Sequence, residues 1–181
     1  MYTEFVNEFE LSEETKGQLA SLLKISFPEV NYNGRHYFKQ LPHYRLLLKN
    51  NSLVIGQLAL DFRVMTLDGI PINVLGVIDF AIAPEFRRNG NGKFLMQQLL
   101  DKAYFFKNNI DFIFLVTDTP IIYRNFGFKS TSQIVRWLAT EEHINYGIKE
   151  ELINDCFLMY KKIGNKEWSD NSVLDLMGYW Y

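Results

Sequence analysis

A chain of 181 residues with 48% hydrophobic and 22% charged side chains is long enough for one well-cored domain and short for two. Its 19 basic and 21 acidic residues leave a net charge of −2, which excludes a bulk electrostatic case for nucleic acid and makes any anion site a local one. The single cysteine, Cys156, excludes an internal disulfide and a thiolate metal cluster. The N-terminal MYTEFVNEFELSEE is acidic and lacks the apolar segment of a signal peptide. The longest near-apolar stretch, around 74–84, is interrupted by Asp79 and falls short of a membrane span. The expectation is a cytoplasmic, single-domain protein covering 1–181, with no membrane, metal or nucleic-acid partner.

In chain order, Ser12 with Glu14 and Thr15 opens a helix whose Leu19, Leu22, Leu23 and Phe27 recur at helical spacing until Pro28 closes the pattern. Residues 31–44, NYNGRHYFKQLPHY, are aromatic, polar and broken by Gly34 and Pro42, which predicts a loop. YRLLLK and SLVIGQLALDFRVM flank Asn50 and Asn51, and INVLGVIDFAIA follows an Asp68-Gly69 turn. Connections this short predict three antiparallel strands. After Pro84 the period changes: Leu95, Leu99, Ala103 and Phe106 mark a helix, and DFIFLVT over 111–117 reads as a buried strand. Strand, glycine turn, helix and strand over 74–117 predict two parallel strands joined by a right-handed crossover. Residues 131–139 and 155–162 read as further strands around a polar, helix-prone segment, 140–153.

The glycine turn, FRRNGNGKF at 86–94, is the first chemical signal. A P-loop would need glycine at Arg87 and a hydroxyl at Phe94, and a dinucleotide fingerprint would need glycine at Leu95. Both fail. What remains is Arg87-x-x-Gly90-x-Gly92 between a strand and a helix. There, glycines let backbone N–H groups approach an anion, the helix start adds partial positive charge, and Arg87, Arg88 and Lys93 add full charges. A diphosphate is the natural guest; a plain glycine turn with solvated arginines is the alternative at this point.

A second signal, IIYRNFGF at 121–128, follows the second parallel strand. Together, FAIAPEFRRNGNG and YRNFGF resemble the GCN5-related N-acetyltransferase superfamily over about residues 45–130. The resemblance implies an α/β (α+β) fold: a mixed, mostly antiparallel sheet with splayed central parallel strands, flanked by helices, and acetyl-CoA in the gap. It implies that the Ile82 backbone pairs with the pantetheine arm. It further implies that Arg87, Arg88, Asn89, Gly90, Asn91, Gly92 and Lys93 hold the pyrophosphate, and that Tyr123 protonates the departing thiolate. The family's asparagine after the second parallel strand is replaced here by Thr117, Asp118 and Thr119. Acetyl-CoA is the implied co-substrate, without a metal, and a small-molecule amine the implied acceptor.

Attack on a thioester needs a neutral amine, so a base or a water chain must take a proton, and the tetrahedral oxyanion needs a donor, for which the Ile82 N–H is placed. Family members carry a carboxylate on the first parallel strand where Gly76 and Ile78 stand here. Asp79 is one residue out of phase, so strand alternation turns it to the opposite face. It is one candidate base, with a satisfied polar group beneath a helix as its other reading. Asp118 is the second candidate, with helix capping as its other reading. His36 and His43 in the 31–44 loop read as surface histidines before bases. Tyr32, Tyr37, Phe38 and Tyr44 around them form an acceptor wall or plug the core. The tail, WSDNSVLDLMGYWY, reads as a closing strand. A weaker resemblance to the aminoglycoside 2'-N-acetyltransferase branch instead implies that Trp180, Tyr181 and the terminal carboxylate contact an aminosugar acceptor, although that branch's strand glutamate is replaced by Ile78. An acyl-CoA-binding sensor and a non-enzymatic interaction module remain alternatives, and a homodimer is compatible with all of these.

Overall fold

The structure, a computed structural model, describes residues 1–181 apart from the side chains of 154–156, so Cys156 lies outside the described residues. The elements are β1 (Tyr2–Asn7), α1 (Glu13–Ser26), β2 (Tyr44–Asn50), β3 (Leu53–Leu67), β4 (Ile70–Ile82), α2 (Asn91–Phe105), β5 (Phe112–Val116), α3 (Pro120–Arg124), β6 (Lys129–Glu141), β7 (Ile144–Lys162) and β8 (Leu174–Tyr179). The chain divides into two compact units, Met1–Asp61 with Val77–Asp101 and Phe62–Gly76 with Lys102–Tyr181, so β3 and β4 each contribute to both.

In the first unit, β1 pairs antiparallel with β2, and β2 with β3, from Tyr44↔Leu60 to Asn50↔Leu53. The β2–β3 connection turns at Asn51, whose φ of 54 suits an asparagine. Ser12 Oγ accepts from the Thr15 N–H at 3.2 Å, the cap expected from the sequence, and α1 buries Leu19, Leu22 and Leu23. Leu19 and Leu22 pack with Leu11, Leu47, Val54 and Ala81 into one apolar cluster. β1 was not expected from the sequence.

In the second unit the strand pairing returns on itself. The order runs β3, β4, β5, β7, β6, β8, and β8 pairs again with β3 through Thr66↔Asp175 and Leu67↔Leu174. β6 and β8 run parallel, whereas β5–β7 and β6–β7 are antiparallel. The Asp111 N–H donates to Asn73 O at 2.8 Å, so β5 starts beside the start of β4, and α2 carries the chain back between them, as the parallel unit predicted. Met65, Leu67, Ile72, Val74, Phe112, Phe114, Val135, Leu158, Leu174 and Leu176 form the enclosed core.

Residues 140–153, expected to be helix-prone, are instead the turn end of the long β6–β7 hairpin. Leu138 opposes Ile148, Arg136 opposes Glu150 and Ile134 opposes Leu152, so cross-strand pairing overrides local propensity. The two-residue turn is Glu142-His143, both left-handed at φ 45 and 65. Such a turn normally announces itself by asparagine and glycine, and here neither is present.

Candidate active site

The turn after β4 has the form the glycine spacing foretold. Arg88 and Gly90 take left-handed φ values of 62 and 80, and the chain enters α2 at Asn91 with no acidic side chain in the first turn. Gly90 has no side chain with which to cap the first amides of α2, and a helix start carries partial positive charge. The loop is closed from inside by Asn91, whose Nδ2 donates to Phe86 O at 2.8 Å and which is 7% exposed. Asn89, Arg88 and Lys93 are exposed. Arg87 turns back: its Nε donates to Ile82 O at 2.7 Å and an Nη to Ser26 Oγ at 3.3 Å. The Ile82 carbonyl is therefore engaged by the turn itself. A Cβ at Gly92 would stand 3.4 Å from Phe80 Cζ, an ordinary contact, so nothing within the fold demands glycine there. At Gly56 on β3, by contrast, a Cβ would meet Ile82 Cδ1 at 2.5 Å and Ala81 O at 3.1 Å.

Three residues before Ile82, Asp79 sits at φ 50, which breaks the alternation of β4 at the very residue whose side-chain direction alternation was used to predict. Its carboxylate accepts from Tyr32 Oη at 3.0 Å, and its carbonyl from Gln57 Nε2 at 3.0 Å. Behind Gln57 lies Arg45, fully buried, whose Nη1 donates to Gln57 Oε1 at 2.5 Å and Nη2 to His36 O at 2.8 Å. Glu8 accepts from Arg45 Nε at 2.6 Å and lies 2.8 Å from His36 Nε2. Burial pushes the Asp79 carboxyl above its ordinary range, against the opposing pull of the Tyr32 hydrogen bond and the Arg45 charge. Burial acts the same way on Glu8, but hydrogen bonds from His36 and Arg45 outweigh it and hold that carboxyl below its usual value. Removing one partner of such a buried pair costs about 3–5 kcal/mol, because the survivor is left uncompensated.

The histidines of the 31–44 loop are thus tied to carboxylates: His36 to Glu8, and His43 Nδ1 to Asp61 Oδ1 at 2.6 Å, with Asp61 2% exposed. Tyr32 is a buried member of the loop, packed between Phe27 and Phe38, whereas Tyr37 stands edge-on to His36 with the Arg35 guanidinium 5.4 Å from its ring centroid.

In the second unit, Tyr123 lies in the short α3, 9% exposed, with its hydroxyl hydrogen-bonded to the Thr117 side chain. Burial pushes its phenol up to about 12; the nearby Asp118 charge adds to this and the Thr117 bond opposes it. Asp118 is exposed and is not the cap of α3: the N-cap position is Thr119, with no side-chain cap bond. The tail is a strand, β8, that then folds inward. Tyr181 packs on Phe114, and a Cβ at Gly76 would overlap its ring and hydroxyl. The Arg63 guanidinium sits 4.5 Å from the Tyr179 ring centroid and 4.6 Å from that of Tyr181, and Trp180 packs on Trp137 at 5.0 Å. Among the described residues no cluster of histidine, cysteine and acidic side chains could hold a metal, and no helix is long and apolar enough to cross a membrane.

The sequence reading missed Glu8, Arg45 and Gln57. The available signal was a polar residue inside each of two apolar strand runs, YRLLLK and LVIGQLAL. It marks burial but not the partner.

The Acetyltransferase (GNAT) domain family matches residues 10–131. Among solved structures, the GCN5-related N-acetyltransferase from Anabaena variabilis ATCC 29413 aligns with a TM-score of 0.60 and 22% identity, over 74% of this chain and 34% of that one. An acyl-CoA N-acyltransferase from Pseudomonas aeruginosa aligns with a TM-score of 0.58 and 13% identity, over 88% and 98%. A GNAT family acetyltransferase from Brucella melitensis, in complex with acetyl-CoA, aligns with a TM-score of 0.52 and 18% identity, over 71% and 84%. At these identities the likeness is one of fold, and the chain spans about a third of the length of the first structures it matches, 34%, 34% and 33%. No curated protein matches the chain.

Proposed function

The chain belongs to the GNAT acetyltransferase family, and from that premise we propose that it transfers the acetyl group of acetyl-CoA to a primary amine of a small molecule. In this reading one acetyltransferase domain covers 1–181, of which the family match spans residues 10–131. The observation that carries the reading is the turn from Arg87 to Lys93: left-handed at Arg88 and Gly90, uncapped by any side chain at Gly90, and continued directly into α2. In this reading the amides of Gly90 to Lys93 and the charges of Arg88 and Lys93 hold the pyrophosphate, with Asn89 beside them. Arg87 and Asn91 hold the turn's shape, and the Ile82 backbone meets the pantetheine arm and thioester.

Asp79 is the favoured base, because burial raises its proton affinity toward the working range of a general base. Asp118, exposed and beside Tyr123, is the other carboxylate in play. Tyr123 serves the sulfur. A phenol pushed up to about 12 is a weaker acid than a thiol of ordinary pKa about 8.5. Complete proton transfer is therefore uphill, and the phenol acts by donating a hydrogen bond while CoA leaves as the thiolate. Tyr37, Trp180 and Tyr181, all partly exposed aromatics, are offered as acceptor contacts. An aromatic face suits a cationic, aminosugar-like amine.

Gly92 gives the cleanest test, since its backbone is not left-handed and its surroundings accept a Cβ. Gly92→Val should fold normally yet lose at least roughly tenfold in acetyl-CoA affinity, about 1.4 kcal/mol, because the side chain stands where the pyrophosphate approaches. Calorimetric titration showing equal affinity in both proteins would overturn the assignment of the turn.

A further inference from the structure

We propose that Glu8, Arg45 and Gln57 are positioning residues: a buried chain that clamps the left-handed Asp79 of β4 and thereby sets the strand edge, Phe80 to Ile82, along which the thioester is polarised. The proposal rests on the acetyl-transfer reading above and extends it to residues that touch no substrate.

Three polar side chains from three separate segments form one hydrogen-bonded chain that ends, through Gln57, on the Asp79 carbonyl. Glu8 is 7% exposed, and Arg45 and Gln57 are both 0%. A buried ion pair is seldom the most stable way to fill a core, since apolar side chains of similar volume do as well or better, so its presence calls for another role. The polarity of the chain is fixed at every link. The Glu8 carboxylate takes Arg45 Nε at 2.6 Å and Nη2 at 3.2 Å. Arg45 has donors only, so the Gln57 amide must turn its oxygen to Arg45 Nη1, at 2.5 Å. The amide nitrogen is then left facing Asp79 O, at 3.0 Å. No flipped amide satisfies both neighbours.

The group so held is one that needs holding. Asp79 is a non-glycine residue at φ 50 inside a strand, a conformation that persists only where its surroundings over-determine it. Gln57 grips its carbonyl and Tyr32 Oη its carboxylate, each at 3.0 Å. Because a peptide's C=O and the following N–H point opposite ways, drawing Asp79 O toward β3 directs the Phe80 N–H to the other edge of β4. The same edge carries Ile82, since its neighbour Ala83 donates to Ile55 O of β3 at 2.8 Å and successive residues alternate. Ile82 O in turn accepts from Arg87 Nε, so the clamp and the anion turn act on one short length of strand.

The test separates position from stability. Gln57→Glu keeps the side-chain volume and gives Arg45 a stronger partner, but removes the N–H that holds Asp79 O. The readouts are the carbonyl stretch of acetyl-CoA bound to the protein, its calorimetric affinity, the melting temperature, and thiol release with water as acceptor. The expected result is a wild-type red shift of the thioester carbonyl that Gln57→Glu loses. Affinity should be retained, and thiol release should fall roughly 10²-fold, as for a donor displaced by about 1 Å. Gln57→Met, which removes both amide bonds, should lose the red shift as well. Retention of the red shift and of turnover in Gln57→Glu overturns the proposal. So does a parallel fall of melting temperature and affinity in both variants, which would make the chain a fold element alone. Failure of the wild-type protein to bind acetyl-CoA is visible before any variant is made; it overturns the acetyl-transfer reading, and the proposal falls with it.

Discussion

Burial pushes the Tyr123 phenol up to about 12, so its protonation does not change anywhere near neutrality. Its contribution to turnover should therefore be constant with pH. Tyr123→Phe keeps the ring against Phe128, 5.9 Å away, and removes only the hydroxyl. Loss of a hydrogen bond to a charged sulfur is worth about 1.5–3 kcal/mol, so turnover should fall roughly 10- to 100-fold with acetyl-CoA affinity unchanged. Steady-state kinetics between about pH 6 and 9, well below the Tyr123 value, check this; a loss that itself titrates in that window would mean that Tyr123 exchanges its proton. The turn residues and Tyr123 were legible in the sequence because each motif is local, a few residues between a strand and a helix. The setting of Asp79 was not. Its partners Tyr32 and Gln57 come from 47 and 22 residues away, and its left-handed backbone carries no local sequence signal.

At the scale of elements, α1 and α2 declared themselves by period, and α1 also by its Ser12 cap. The β6–β7 hairpin did not, because its turn residues Glu142 and His143 occupy left-handed conformations without the residue types that favour them. That misfit has a measurable consequence. Each non-glycine residue in the left-handed region costs about 1–2 kcal/mol, part of which glycine returns as extra freedom of the unfolded chain. Replacing the pair by Glu142→Asn with His143→Gly should stabilise the protein by roughly 0.5–1 kcal/mol in chemical denaturation, with the slope unchanged. A destabilised double variant would show that the native side chains make contacts that outweigh the turn geometry. β1 was hidden for a different reason. YTEFVN pairs on one edge among the described residues, with β2, and its Glu4–Lys49 ion pair at 2.6 Å spans two strands rather than one helix turn, so its one acidic residue gave no strand signal.

For the whole chain, the fold class followed from two short motifs and their spacing, and the family match over residues 10–131 agrees with it. The destination of the tail could not be read in the same way, since it depends on Gly76 leaving room for the Tyr181 ring and on Arg63 standing between two tyrosine faces. Tyr181→Ala should accordingly lower stability by roughly 1–3 kcal/mol, less than for a fully buried aromatic, and the melting temperature by several degrees. An unchanged melting temperature would release Tyr181 from the core and leave it to the acceptor alone. The activity proposed for these parts is acetyl transfer, and its most direct measurement is mass analysis of reactions containing acetyl-CoA and a panel of small primary amines, aminosugars included. The account predicts CoA released in step with an N-acetylated amine, at a rate well above that of the Tyr123→Phe protein. Acetyl-CoA bound at the Arg87–Lys93 turn, with no acetylated product from any amine and no thiol released, would contradict it.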